Sequence, residues 1–118
     1  MKRDMELIRS LLLEKEQERA PEELAGYSLE EILYNTELMA DAGLVVASFI
    51  KDAGGVTRTA ITERLTWAGH DFLDSTRDSK IWKKAKEQVL KSGASWTFDI
   101  LREWVKYELK QKLGLPHQ

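Results

Sequence analysis

The chain holds two histidines, His70 and His117, and His70 stands in the run Gly69-His70-Asp71-Phe72-Leu73-Asp74. An imidazole beside carboxylates is the usual material of general acid–base chemistry. On a helix, neighbouring residues point about 100° apart, so His70 and Asp71 do not converge on one proton. His70 and Asp74, at i and i+4, can pair, but such a pair more often orients a side chain than catalyses. No spacing supplies further ligands for a metal. Cysteine is absent, which excludes thiol nucleophiles, disulfides and thiolate zinc sites. Gly54-Gly55 lacks the following helix and Lys-Ser/Thr that a phosphate-cradling loop requires. The expectation is a protein without catalytic residues, metal or cofactor.

Binding chemistry is better represented. The segment Lys80-Ile81-Trp82-Lys83-Lys84-Ala85-Lys86 is the densest basic cluster, and Lys80, Lys83 and Lys84 share a helix face. With Arg77 just before it, this stripe is either a phosphate-binding patch or the solvated side of an amphipathic helix. Lys51, Arg58 and Arg64 surround Gly54-Gly55, against Asp52 and Glu63, and are either scattered charge on a solvated hairpin or a basic wing whose Arg58 enters a minor groove. The first 44 residues are the reverse, with five basic and eleven acidic side chains. Residues 28–42 contain Glu30, Glu31, Glu37 and Asp41 and no Lys or Arg.

The elements that position these residues follow from periodicity and punctuation. Met5, Ile8, Leu11 and Leu12 mark a helix over 4–19 with Asp4 as its N-cap. Pro21 opens at most one further helical turn. Ser28 and Glu31 form a capping box for a helix that Gly43 stops. Residues 44–50 are β-branched and aromatic, Asp52 to Gly55 is a turn, and 56–65 alternates, so 44–65 reads as a β-hairpin. Thr66 caps a helix running to about Thr76, with Trp67, Phe72 and Leu73 as apolar anchors. Helices over about 79–91 and 96–113 follow, separated by Ser92-Gly93-Ala94-Ser95 and ended by Gly114 and Pro116. A length of 118 residues fits one domain, with 1–76 as core and 77–118 as a helical extension.

Helix, capped helix, hairpin, helix is the plan of a winged helix, and the fold class is therefore α+β and mainly helical. Two pieces strengthen it: Ala42-Gly43-Leu44-Val45, a helix stop feeding a strand, and Leu65-Thr66-Trp67-Ala68-Gly69, where Gly69 permits close backbone approach. Together with Met1-Lys2-Arg3-Asp4-Met5, Tyr27-Ser28-x-Glu30-Glu31-Ile32, the Gly69–Asp74 run, Trp82-x-Lys84-x-Lys86 and Phe98-Asp99, they carry a resemblance over nearly the whole chain. The sequence resembles a family of small uncharacterised bacterial and phage proteins, a domain of unknown function with a winged-helix look. The resemblance implies a phage or prophage setting and supplies no catalytic residues. Where the family commonly has Tyr-His-Leu-Lys-Leu-Leu in the second helix, this chain has Tyr34-Asn35-Thr36-Glu37-Leu38-Met39.

That substitution bears on partners. In a winged helix the helix before the wing enters the major groove. Here Asn35 and Thr36 are suited to reading bases, but nothing basic beside them holds the phosphates that supply most affinity. The leading expectation is a DNA-binding, regulator-like protein that uses Lys51, Arg58, Arg64, Arg77, Lys80, Lys83 and Lys84. The alternative is a protein-interaction module that contacts a host factor through Glu30, Glu37 and Asp41. The last helix carries Ile100, Leu101, Trp104, Val105 and Leu109 on one wide face, with Trp96 and Leu113 at its ends. Trp104 and Leu101 are accordingly candidates for a partner surface or homodimer as well as for core. No apolar run has signal-peptide length or approaches the roughly 20 residues of a membrane span, so a cytoplasmic protein without membrane contact is expected.

Overall fold

The computed structural model describes residues 1–92 and 98–114. The chain divides into two compact units, Met1–Leu73 and Asp74–Gln118.

The first unit begins with α1 (Met5–Gln17). Asp4 caps it as expected, its carboxylate accepting the Leu7 backbone N–H at 3.1 Å. Glu18, at φ 56°, closes the helix in the left-handed region. A single 3₁₀ turn, Glu22–Gly26, follows Pro21 and seats Leu24 in the core. Helix α2 (Leu29–Asp41) opens on both halves of the capping box. Ser28 Oγ accepts from Glu31 N–H at 3.1 Å, and Glu31 Oε1 accepts from Ser28 N–H at 3.0 Å. Ser28→Ala is expected to destabilise the protein by about 1 kcal/mol, because one of the orphan amides of the first turn loses its acceptor. A urea midpoint indistinguishable from wild type would show that the box contributes nothing to the fold.

Gly43, at φ 74°, ends α2. Its N–H donates to the Ala40 carbonyl and the Leu44 N–H to Met39, the double bond pattern of a Schellman stop. The chain then runs directly into β1 (Val45–Lys51), which pairs antiparallel with β2 (Thr57–Leu65). The expected hairpin is present, with Val45 opposite Leu65 and Ile50 opposite Thr59. Two irregularities, at Val46/Ala47 and Ile50/Lys51, bend the ribbon. Helices α1 and α2 pack on each other and on this hairpin. Met5, Leu7, Leu12, Met39, Val45 and Leu65 are among the buried residues.

Asp52 organises the turn. Its carboxylate accepts the N–H groups of Gly54 at 2.9 Å and Val56 at 3.0 Å, and the Nε–H of Arg58 at 2.8 Å. The Val56 amide, with Arg58 and the Gly54 amide in support, holds the Asp52 carboxyl below the usual carboxylate range. A depressed folded-state pKa contributes order that is complete above the unfolded value of about 4 and is lost as pH falls through the folded value. The Gly54 and Val56 amide resonances are therefore expected to titrate together in acid, below about pH 4. In Asp52→Asn that titration is expected to vanish, and its persistence would move the effect to another carboxylate.

Helix α3 (Trp67–Thr76) crosses from the first unit into the second. Thr66 fixes its start with a hydroxyl that donates to the Gly43 carbonyl and accepts the Gly69 N–H at 3.1 Å. The Thr66 N–H donates in turn to the Leu44 carbonyl at 3.0 Å. Gly69 lies so close to that carbonyl that a Cβ built on it would stand 2.0 Å from the Leu44 oxygen. The two sequence pieces around Gly43 and Gly69 are thus the two sides of one backbone junction. Phe72 and Leu73 are buried as expected, at 1% and 0% exposure. Trp67 is not an anchor: it is 83% exposed. At about 100° per residue, Phe72 and Leu73 lie about 140° and 240° around the helix from position 67, so a stripe that buries them turns Trp67 outward.

In the second unit α4 (Ser79–Ser92) packs against α5 (Phe98–Leu113). Asp78 accepts the Lys80 and Ile81 N–H groups at the head of α4 and pairs with Lys112 of α5. The Lys112 ammonium leads these bonds in holding the Asp78 carboxyl below its ordinary range. Ile81, Trp82, Ala85, Val89 and Val105 are buried.

Candidate functional site

Helix α2 has two faces with opposite roles. Asn35 and Thr36, the residues suited to base reading, face inward. Asn35 is 1% exposed and its amide ties two helices together: Oδ1 accepts the Asp4 N–H at 2.8 Å and Nδ2 donates to the Glu31 carbonyl at 2.9 Å. Thr36 Oγ1 donates to the Ile32 carbonyl at 2.8 Å. A buried amide with both ends engaged is a structural fixture, because breaking it leaves unsatisfied polar groups at a cost of about 1–3 kcal/mol. Asn35 and Thr36 therefore do not offer the base contacts that their side-chain types suit, which agrees with the expectation that this helix lacks the means to hold DNA.

The outward face carries Glu30, Tyr34, Glu37 and Asp41, spaced i, i+4, i+7, i+11 along one stripe. Glu30 and Asp41 are exposed, and Tyr34 and Glu37 are half-buried. Beside this stripe the helix and the hairpin enclose a cleft of about 200 Å³. Leu29, Leu33 and Tyr34 of α2 form one wall, Val56 to Arg58 the other, and Met1 closes an end. Glu30 and Glu37 stand on its rim. A second cleft, of about 470 Å³, shares Leu29, Leu33 and Arg58 with the first. It extends the groove along α2 and β2 as far as Met39 and Thr62. Leu29 is 62% exposed and Val56 52%, so the groove presents apolar side chains to solvent. Sequence reasoning found the acidic stripe and missed the groove, whose second wall lies some twenty-odd residues away along the chain.

The candidate cations lie on the hairpin and around α4. Lys51, Arg58 and Arg64 are exposed on the hairpin. Arg58 is engaged by Asp52, and Arg64 Nη1 reaches the Leu65 carbonyl at 3.4 Å. Arg77 is bound at 2.7 Å to Asp74, the carboxylate that His70 can reach by spacing. On α4, Lys80, Lys83 and Lys84 are all exposed, opposite the buried Ile81, Ala85 and Val89. Lys86 instead lies over the Trp82 ring, 5.8 Å from its centre. Among the described residues, no three His, Asp or Glu side chains gather in a metal-binding group.

On α5, Trp104 is half-buried and meets Tyr107 edge to face at 6.0 Å, while Val105 is fully buried. The Leu101 side chain and Trp96 lie outside the described residues. Among the described residues no helix is long and apolar enough to cross a membrane.

Comparison with known proteins agrees on the kind of chain this is. No solved structure matches it. A Haemophilus influenzae protein described as uncharacterized is 28% identical over 121 residues, covering 97% of this chain and 100% of its own length. Residues 2–95 match the model of a family described as hypothetical protein DUF2513, and on that match the chain belongs to the DUF2513 domain-of-unknown-function family.

Proposed function

We propose that this is a non-enzymatic regulator of phage or prophage type, cytoplasmic, with a winged-helix-like core that works by binding protein. One observation carries the reading. The helix in the groove-reading position turns Glu30, Glu37 and Asp41 outward and buries the two residues suited to bases. Three carboxylates facing a phosphate backbone repel it, and no Lys or Arg on α2 offsets them. The same face, acidic with exposed aliphatic neighbours, has the mixture that protein contacts use.

A second reading rests on a different observation. Lys80, Lys83 and Lys84 form an exposed cationic face on α4, and none of them makes an ion pair among the described residues. Such a face suits the phosphates of duplex DNA without base recognition.

Fluorescence anisotropy with a mixed-sequence duplex, at about 50 and 200 mM salt, tests whether α2 reads DNA. Under the protein-binding reading, any duplex affinity is weak and falls steeply with salt. It is lost in Lys83→Glu with Lys84→Glu and indifferent to Tyr34→Ala. Saturable, sequence-selective duplex binding that Tyr34→Ala abolishes would overturn it and put α2 in the groove.

A further inference from the structure

The groove between α2 and the hairpin has a shape and a charge that define what fits it. Its narrow end is apolar on both walls, with Leu29 and Leu33 facing Val56. That end has room for one or two aliphatic side chains and holds no buried polar group that a ligand must satisfy. Its rim is acidic. Glu30 and Glu37, two helical turns or about 10 Å apart, make no ion pair among the described residues. Arg58, the cationic side chain of the narrow end, is held by Asp52, and Lys15 lines the second cleft beside Glu14. Charge and apolar surface therefore point to the same ligand chemistry.

We infer that this groove docks a cationic amphipathic segment of a partner protein, with an aliphatic anchor seated between Leu33 and Val56. Two Lys or Arg side chains about two turns apart pair with Glu30 and Glu37. The inference rests on the protein-binding reading above and narrows it to one partner class. An anionic partner meets two carboxylates at the rim. A purely apolar one leaves both carboxylates to be desolvated without compensation. Anchors in a groove with flanking ion pairs are an established way for a surface to take a helix.

The test uses the full chain and two synthetic peptides of about fourteen residues. One carries leucines on a single helical face flanked by lysines at i and i+7, and the other has Glu in place of each Lys. Amide shift mapping is expected to place the lysine peptide at Leu29, Leu33, Glu37 and Val56. Its affinity is expected to drop at least tenfold in Glu30→Lys with Glu37→Lys, and likewise in Val56→Asp. Glu30 and Val56 are exposed and Glu37 is half-buried, and an unchanged thermal midpoint shows that the fold is retained. The glutamate peptide is expected not to saturate.

Absence of saturable binding by the lysine peptide, equal binding of both peptides, or shifts centred elsewhere overturns the inference. Self-association in sedimentation that Val56→Asp abolishes would overturn it in favour of a second copy. The duplex titration described above reads the parent proposal independently. A chain that ignores DNA and also ignores the lysine peptide loses this inference only, whereas groove-type DNA binding removes both.

Discussion

Gly69→Ala is expected to destabilise the protein by about 3 kcal/mol or more, the upper end of what a single inserted methyl costs in a packed site. In an exposed helix the same change would stabilise by about 1 kcal/mol, since alanine is the better helix former. The sign reverses here because the added carbon would stand 2.0 Å from the Leu44 carbonyl oxygen and 3.1 Å from its carbon. These are backbone atoms, and they cannot swing aside as a side chain can. The Leu44 carbonyl also accepts the Thr66 N–H, so moving it breaks the bond that starts α3. Either α3 tilts away from the junction, exposing Phe72 and Leu73, or the hairpin base opens. Urea denaturation followed by far-ultraviolet circular dichroism measures the loss. A midpoint at or above wild type would mean that α3 does not rest on Leu44.

Trp82→Ala is expected to cost about 3–5 kcal/mol, the range for deleting a large buried aromatic. Trp67→Ala is expected to stay within about 0.5 kcal/mol of wild type. The two residues have the same side chain and both lie at or near the start of a helix, yet Trp82 is 2% exposed and Trp67 83%. Emission spectra give a parallel check. Trp67→Ala removes a solvent-quenched, red-shifted component, and Trp82→Ala removes a blue-shifted one. Equal destabilisation by both changes would contradict the opposed orientations of the two rings.

What could be read from the sequence was what short range decides. Ser28 and Glu31 complete their box within one turn, Gly43 meets the positive φ that a helix stop demands, and Thr66 caps a helix three residues on. The hairpin followed from β-branched runs on either side of a glycine turn. Gly69 was legible as a close-approach glycine, though its partner carbonyl was not. What escaped depends on distant partners. Asn35 looks like a base reader until the Asp4 amide, thirty-one positions away, claims its oxygen. Arg58 looks free until the turn folds Asp52 against it. The groove escaped for the same reason, because its walls come from separate elements. Trp67 is different: the angular arithmetic that turns it outward was available from its spacing to Phe72 and Leu73.

The two-stranded sheet has a consequence for how the protein behaves when crowded. Ser48 and Ile50 of β1 face the same way as Ile61 and Thr59 of β2, and both isoleucines are largely exposed. Among the described residues the sheet ends at these two strands, so each keeps a row of amides and carbonyls open along one edge. Two edge strands that present exposed isoleucines are a template for strand addition by another chain, and so for aggregation. Its own irregularities work against that. The bulges at Val46/Ala47 and Ile50/Lys51 spoil the flat repeat an incoming strand needs, and Lys51, Arg58, Glu63 and Arg64 distribute charge along the ribbon. Solubility at high concentration therefore depends on those charges, and neutralising them would leave the hairpin open to strand addition.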